Sequence, residues 1–206
     1  MRYALAVAAL FVAAPVFAAP APKVDTSGAT TCEVHGYLAD TDPKGTNVRS
    51  GPSATAAVIG HLPPQSSSSP GVDENFAVEF TIIGSKNGWM LIKEAQTGQY
   101  SDAPLKTVFA GPGWISGTLV GFGIGTNGLR SGPAATDKVI AHLIDTARGI
   151  GPDSYAVKRV YECRGGAVDV TIVLPPGIDP KAKPIRGWSR HVCANQVTTC
   201  DTGGED

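Results

Sequence analysis

The chain has 206 residues and is nearly neutral, with 17 Lys and Arg against 18 Asp and Glu. This balance offers no electrostatic attraction for nucleic acid or for an anionic membrane surface, so neither is expected as a partner. Helical periodicity is nearly absent, and Gly (25) and Pro (16) are frequent. Short apolar runs separated by turn residues predict an all-β protein.

Residues 1–18 have the composition of a secretion signal, with an early cation, the apolar run 3–14 and small or aliphatic residues before the cut. The apolar run is shorter than the ~20 residues that a bilayer requires, so no membrane insertion is expected. Cleavage after Ala18 is preferred to cleavage after Ala21, which would leave a proline as the first residue. We therefore predict a periplasmic or secreted protein in which residues 19–30 form a flexible lead-in.

A long internal repeat follows. Residues 49–62 return 81 positions later as residues 130–143, and ten of the fourteen positions are identical. Phe76-Ala77-Val78 is echoed by Tyr155-Ala156-Val157, and Gly113-Trp114 by Gly187-Trp188. The chain is therefore predicted to contain two copies of one unit, over residues 31–120 and 121–206.

Each copy is predicted to contain a β-hairpin. Asn87-Gly88 separates two β-rich runs, and Gly165-Gly166 occupies the matching place in the second copy. Asn-Gly is a strong hairpin signal because both residues tolerate positive φ. Residues 63–75 and 95–106 are predicted to be long surface loops, with short 3-10 turns elsewhere. The link between the copies is short and apolar, so the two units should pack together.

The four cysteines are Cys32, Cys163, Cys193 and Cys200. An exported chain meets an oxidising compartment, and no C-x-x-C pair is present for zinc, so disulfides are expected. Full pairing forces Cys32 to bridge to the second copy, and among the three connectivities we prefer Cys163 with Cys193 and Cys32 with Cys200. One bridge with two free thiols is the alternative.

The first copy resembles the bacterial SH3-like domain family. The resemblance rests on residues 47–52, the Val-Ile-Gly-x-Leu pattern of 58–62, Asn87-Gly88-Trp89 and residues 113–116. The second copy is similar but lacks the middle tryptophan, with Val168 near its place. The resemblance implies a small, bent barrel of five or six strands per copy. It also implies an exported protein that binds cell-wall peptides or other proteins, a role in which such domains commonly accompany a catalytic partner.

The residues of the repeat motif are interpreted first as scaffold. Turns and loop hydrogen bonds explain the glycine, proline and arginine positions, and large indole rings could plug a small barrel. The predicted structural residues are Arg49, Gly51, Pro52, Trp114, Arg130, Gly132, Pro133 and Trp188. Exposed aromatic residues are the candidates for lining a peptide groove: Tyr37, Phe122, Tyr155, Tyr161 and, with core packing as the other reading, Trp89.

Catalytic signals are weak. The four histidines are scattered, Cys163 beside Glu162 is better explained as half of a disulfide, and the glycine-rich stretch 121–125 is not followed by a helix pattern. We therefore expect no enzyme activity, cofactor or metal. The leading hypothesis is an exported binding module for a peptide or protein, with the peptidoglycan stem peptide as a candidate. The alternatives are an interaction or inhibitor subunit that docks on an exported enzyme through its long loops, and a structural envelope protein.

Overall fold

The computed structural model describes residues 22–67, 75–101 and 104–200. The predicted signal peptide, residues 1–18, lies outside them, as do residues 68–74 of the first predicted loop. Strands and two 3-10 turns are the only regular secondary structure of the described chain, which confirms the predicted all-β class.

The described part of the first unit contains ten strands and a 3-10 turn, Gly117–Leu119, which precedes the last strand. The strands are β1 (Thr30–Leu38), β2 (Thr46–Arg49), β3 (Val58–Leu62), β4 (Ser66–Ser67), β5 (Asn75–Phe76), β6 (Glu79–Lys86), β7 (Trp89–Thr97), β8 (Lys106–Phe109), β9 (Gly113–Ser116) and β10 (Val120–Gly121). In the second unit, the described residues form seven strands and a 3-10 turn, Pro152–Ser154. These strands are β11 (Gly123–Ile124), β12 (Gly128–Arg130), β13 (Val139–His142), β14 (Ala156–Arg164), β15 (Ala167–Val173), β16 (Ile185–Ser189) and β17 (Val192–Cys193).

The sequence repeat is also a repeat of strand order. Five strands of the first unit follow the order β6-β7-β9-β2-β3, and five of the second follow β14-β15-β16-β12-β13. Arg49 lies opposite Trp114 in one sheet, and Arg130 lies opposite Trp188 in the other. Both sheets are open and antiparallel.

Both predicted hairpins are present. Asn87 and Gly88 have φ values of 53° and 78° and connect β6 to β7, and Gly165-Gly166 connects β14 to β15. The register places Ala167, not Val168, at the position of Trp89, because each is the first residue after its turn. The second unit therefore has a small side chain where the first has an indole.

The two units share one apolar core. Buried side chains from both sheets, such as Ile82 and Val160, belong to a single cluster. The turn residue Gly165 extends this contact through its backbone, because its N–H donates to Thr31 O and its carbonyl accepts from Glu33 N, each at 3.0 Å. The predicted packing of the units against each other is thus confirmed.

The segment before β1 differs from the expected flexible lead-in. Asp25 N donates to Ser50 O at 2.7 Å, and Lys86 Nζ donates to Ser27 O at 2.6 Å. The indole N–H of Trp114 donates to Asp25 O at 2.9 Å. The segment is therefore held against the first sheet from Asp25 onward, since it covers a large side chain that water would otherwise reach.

Trp114 is buried, as a packing residue should be, but none of the three tryptophans belongs to the core that the two units share. Trp114 is fully buried but lies outside the shared core, whereas its neighbour Ile115 belongs to that core. Because side chains alternate along a strand, the two lie on opposite faces of the sheet. Trp89 and Trp188 are half-buried and also lie outside the core.

The predicted loops are shorter than expected. Strand β7 continues to Thr97 and pairs with β8, which starts at Lys106, so residues 95–97 and 106 lie in strands and not in the loop. The described ends of the 63–75 loop form the short β4-β5 ladder. Backbone pairing of this kind satisfies polar groups that composition alone would assign to solvent.

Two disulfides are formed, but the preferred connectivity was wrong. Cys32 bonds to Cys163, and Cys193 bonds to Cys200. The parity argument holds, because Cys32 does bridge the units and the other pair lies within the second. The pairing follows from docking: the β14-β15 turn sits on β1, which brings the Cα atoms of Cys32 and Cys163 within 5.7 Å.

Candidate functional site

A cavity of about 620 Å³ lies at the junction of the two units. We call it the junction cavity. The described residues that line it come from both units and from the C-terminal segment: Tyr37, Phe76, Phe122, Gly123, Asp153, Tyr155, Asn195, Gln196, Val197, Thr198, Thr199 and Cys200. Three of the five predicted binding residues, Tyr37, Phe122 and Tyr155, are therefore brought together.

Close packing on glycines places two of these aromatic residues. Tyr37 of β1 pairs with Gly121 of β10, and its ring occupies the space that a Cβ on Gly121 would need. Phe122 packs in the same way on Gly36, where a Cβ would lie 2.7 Å from the ring. The short sequence 120–122 thus fixes both rings relative to β1.

Phe122 is not the exposed residue that was expected. It is only 2% exposed and belongs to the shared core. It follows β10 directly, where the chain passes between the two units, and burial there is favoured for a large apolar ring. Phe122 therefore belongs to the floor of the junction cavity.

The C-terminal segment forms one wall of the cavity. Gln196 binds the backbone of Ala77 twice: its Oε1 accepts from Ala77 N at 2.8 Å, and its Nε2 donates to Ala77 O at 3.2 Å. Its own N–H donates to the Tyr100 hydroxyl at 2.9 Å. The Cys193–Cys200 disulfide closes the segment into a small loop. A side chain of the second unit thereby completes the hydrogen bonding of a buried residue of the first.

Tyr100 contacts two of the lining residues, Gln196 and Phe76. Its hydroxyl donates to Glu79 Oε1 at 2.6 Å, and its ring stacks on Phe76 with centroids 4.4 Å apart. Burial, followed by the hydrogen bond to the Glu79 carboxylate, raises the pKa of Tyr100 to about 12. The hydroxyl therefore stays protonated and keeps donating at neutral pH.

Polar side chains line the cavity beside the aromatic rings, among them Asn195, Gln196, Thr198 and Thr199 of the C-terminal segment. Burial raises the pKa of Tyr37, and burial is also the main cause of the raised pKa of Tyr155, so both phenols are neutral donors at pH 7. Neither hydroxyl has a hydrogen-bond partner within the described part of the chain. Asp153 on the 3-10 turn supplies a carboxylate. The aromatic rings can pack on a ligand, and the neighbouring polar side chains can form hydrogen bonds with it.

Tyr161 and Trp89 lie elsewhere. The Arg186 guanidinium carbon is 3.7 Å from the centroid of the Tyr161 ring, and Arg186 also forms an ion pair with Asp169 at 2.8 Å. Arg159 lies 4.8 Å from the same ring. Trp89 pairs with Lys86 and Ser116 in the first sheet. Neither aromatic residue lines the junction cavity.

The arginines of the repeat motif hold their own loops. Arg49 Nη1 donates to Ala56 O at 2.8 Å, and Arg130 Nη1 donates to Asp137 O at 2.9 Å. In each bond the donor and the acceptor are seven residues apart in sequence. The next residue of each loop matches as well, because Ser50 N donates to Ala57 O and Ser131 N donates to Lys138 O, each at 2.9 Å. These loops begin with Gly51-Pro52 and Gly132-Pro133. Both guanidinium groups act on backbone carbonyls, as a scaffold role requires.

Sequence reasoning did not select Phe76, Asp153 or Gln196. Phe76 could have been found, because the repeat already pairs it with Tyr155. Asp153 and Gln196 carry no motif, and their roles depend on how a turn and a terminal segment dock.

The fold and site define a disulfide-bonded, all-β protein with a cavity between two repeat units that is lined by aromatic and polar side chains. Two disulfides fit an oxidising compartment. Scans against protein-family models, curated proteins and solved structures find no match. Among the described residues, no helix is long and apolar enough to cross a membrane, and no group of three or more His, Cys, Asp and Glu residues could hold a metal ion.

Proposed function

We propose that the protein is a non-catalytic exported module that binds a cell-wall peptide in the junction cavity. The observation that carries this proposal is the convergence of Tyr37, Phe76 and Tyr155, with Phe122 beneath, on one cavity of about 620 Å³. This volume lies within the range of roughly 300 to 1,000 Å³ typical of small-ligand sites. A peptide side chain could bury apolar surface there while the free phenol hydroxyls bind its backbone.

The same proposal includes the SH3-like nature of each unit and export through the predicted signal at residues 1–18. The matching strand order and the matching Arg–Trp register support a common small-barrel ancestor for the two units. The two disulfides support a periplasmic or secreted location. Cell fractionation with N-terminal sequencing of the mature protein tests the location and the cut after Ala18.

Retention on purified peptidoglycan tests the ligand. The oxidised protein should be retained and should be released by soluble stem peptides. Tyr155→Ala should weaken retention about tenfold, because it removes an aromatic wall of the cavity. Tyr161→Ala is the matched control, since it removes the same side chain from a half-buried site outside the cavity.

Thermal unfolding of both variants must show that they remain folded at the binding temperature. Wild-type protein that passes through peptidoglycan unretained would refute the proposed ligand. Retention of folded Tyr155→Ala at the wild-type level would refute the proposed site.

A further inference from the structure

The described lining of the junction cavity contains an acidic side chain and lacks a basic one. Among its described lining residues there is one carboxylate, Asp153, and there is no Lys, Arg or His. A ligand with a carboxylate would meet this negative charge without a compensating cation. A ligand with a positive charge would meet an attractive group.

The Asp153 carboxylate is available to a ligand. It forms no ion pair with any residue that the structure describes. The positive charge of Arg148 opposes the rise in the pKa of Tyr155, but Arg148 is paired with Asp179 at 3.1 Å. The Asp145 carboxylate adds to that rise. No basic side chain of the described chain lies within ion-pair distance of the Asp153 carboxylate, which is exposed.

The turn that carries Asp153 is well defined. Gly151 N donates to Ser154 Oγ at 3.1 Å, and Ser154 N donates to Gly151 O at 3.0 Å. Tyr155 follows directly and lines the same cavity. The carboxylate and an aromatic ring are thus presented together by adjacent parts of one short segment.

Aromatic rings add a second attraction for a cation. The face of a tyrosine or phenylalanine ring carries negative electrostatic potential, and it binds an ammonium group while its apolar surface packs on the attached carbons. The junction cavity combines such rings with one carboxylate. This combination suits an ammonium group on an apolar stem and does not suit an anion or a purely apolar side chain.

We infer that the junction cavity selects a primary ammonium group on an apolar stem, as in a lysine-like side chain of the bound peptide, with Asp153 as its counter-ion. The inference rests on the proposed function and names the chemistry of its ligand. Asp153 then supplies the larger part of the specificity for the ammonium group, whereas Tyr37, Phe76 and Tyr155 supply a smaller cation–π attraction and apolar contact that any side chain of similar shape shares.

The test uses two matched peptides on the full disulfide-bonded protein. Acetyl-Ala-Lys-Ala-amide and its norleucine counterpart have similar stems and differ in the ammonium group. Calorimetry should show the lysine peptide binding about tenfold more tightly. Asp153→Asn should reduce this preference to about threefold or less, the part that the rings supply, and leave norleucine binding unchanged. Asp42→Asn, an exposed carboxylate of the first unit, is the matched control and should keep the preference.

A second arm separates the sources of the amine. Peptidoglycan whose free amines have been acetylated should retain less protein than untreated peptidoglycan if the wall supplies the ammonium group. Equal binding of the two peptides, or a preference that is undiminished in Asp153→Asn, overturns the inference but leaves peptide binding intact. Absence of binding to both peptides and to untreated peptidoglycan overturns the proposed function, and the inference with it.

Discussion

Phe76 and Tyr155 occupy equivalent positions in the two copies of the repeat, and both line the junction cavity. The same aromatic position of the repeat therefore contributes to the cavity from each of the two copies. Each unit alone would supply only part of the wall. The C-terminal segment and the inter-unit disulfide hold the two parts together.

Removing the Gln196 side chain should loosen the cavity wall. Ala77 is buried, and in Gln196→Ala its N–H and carbonyl would lose their partner, which costs about 1–3 kcal/mol of unfolding free energy for an unsatisfied buried group. Urea unfolding of the oxidised protein measures this loss. Thr199→Ala is the control, because Thr199 is exposed on the same segment and should change stability by less than about 0.5 kcal/mol. Equal stability of the two variants would contradict the role of Gln196.

The two disulfides should differ in their contribution to stability. Cys32–Cys163 joins residues 131 positions apart, whereas Cys193–Cys200 joins residues seven apart. The chain-entropy model gives about 5 kcal/mol for the first and about 2 kcal/mol for the second. Paired Cys→Ser variants at each bridge, compared by denaturant unfolding, measure the difference. Relative to the unfolding free energy that it loses, the variant without Cys193–Cys200 should nevertheless lose more peptide affinity, because this bridge closes the wall of the cavity.

Alkaline pH should remove the contribution of Tyr100 to the unfolding free energy. Its pKa is raised to about 12, above the ordinary value of 10.0, so the folded state favours the protonated phenol. The resulting stability is present in full below about pH 10 and is lost as the pH rises towards about 12. Tyr100→Phe should remove this pH-dependent part, while Tyr37 and Tyr155 contribute equally to both proteins. Parallel unfolding curves for wild type and Tyr100→Phe across this window would contradict the assignment.

Substitution in the first hairpin turn should be costly. Gly88 has a φ of 78°, a conformation that a residue with a Cβ adopts at a cost of about 1–2 kcal/mol. Gly88→Ala should lower the unfolding free energy by that amount. Gly111→Ala is the control, because no atom lies within 4 Å of a Cβ at Gly111 and its φ is not positive. A similar loss in both variants would show that the turn conformation is not the cause.

Local patterns in the sequence determined the class of fold, the repeat and both hairpins. Asn87-Gly88 predicts its turn because positive φ is a property of the two residues themselves. Arg49 and Arg130 could be assigned to their loops because the motif and its partner carbonyls are only seven residues apart. The number of cysteines on each side of the repeat boundary was enough to predict that Cys32 bridges the units.

Only the tertiary structure decided which groups meet across the junction. Cys32 pairs with Cys163 because a turn of the second unit docks on β1, and Gln196 reaches Ala77 across 119 positions of sequence. Trp114 is buried by the segment around Asp25, although composition alone suggested that this segment was flexible. Such contacts depend on the relative placement of packed sheets. That placement is set by the shape and burial of many side chains together, and no local pattern encodes it.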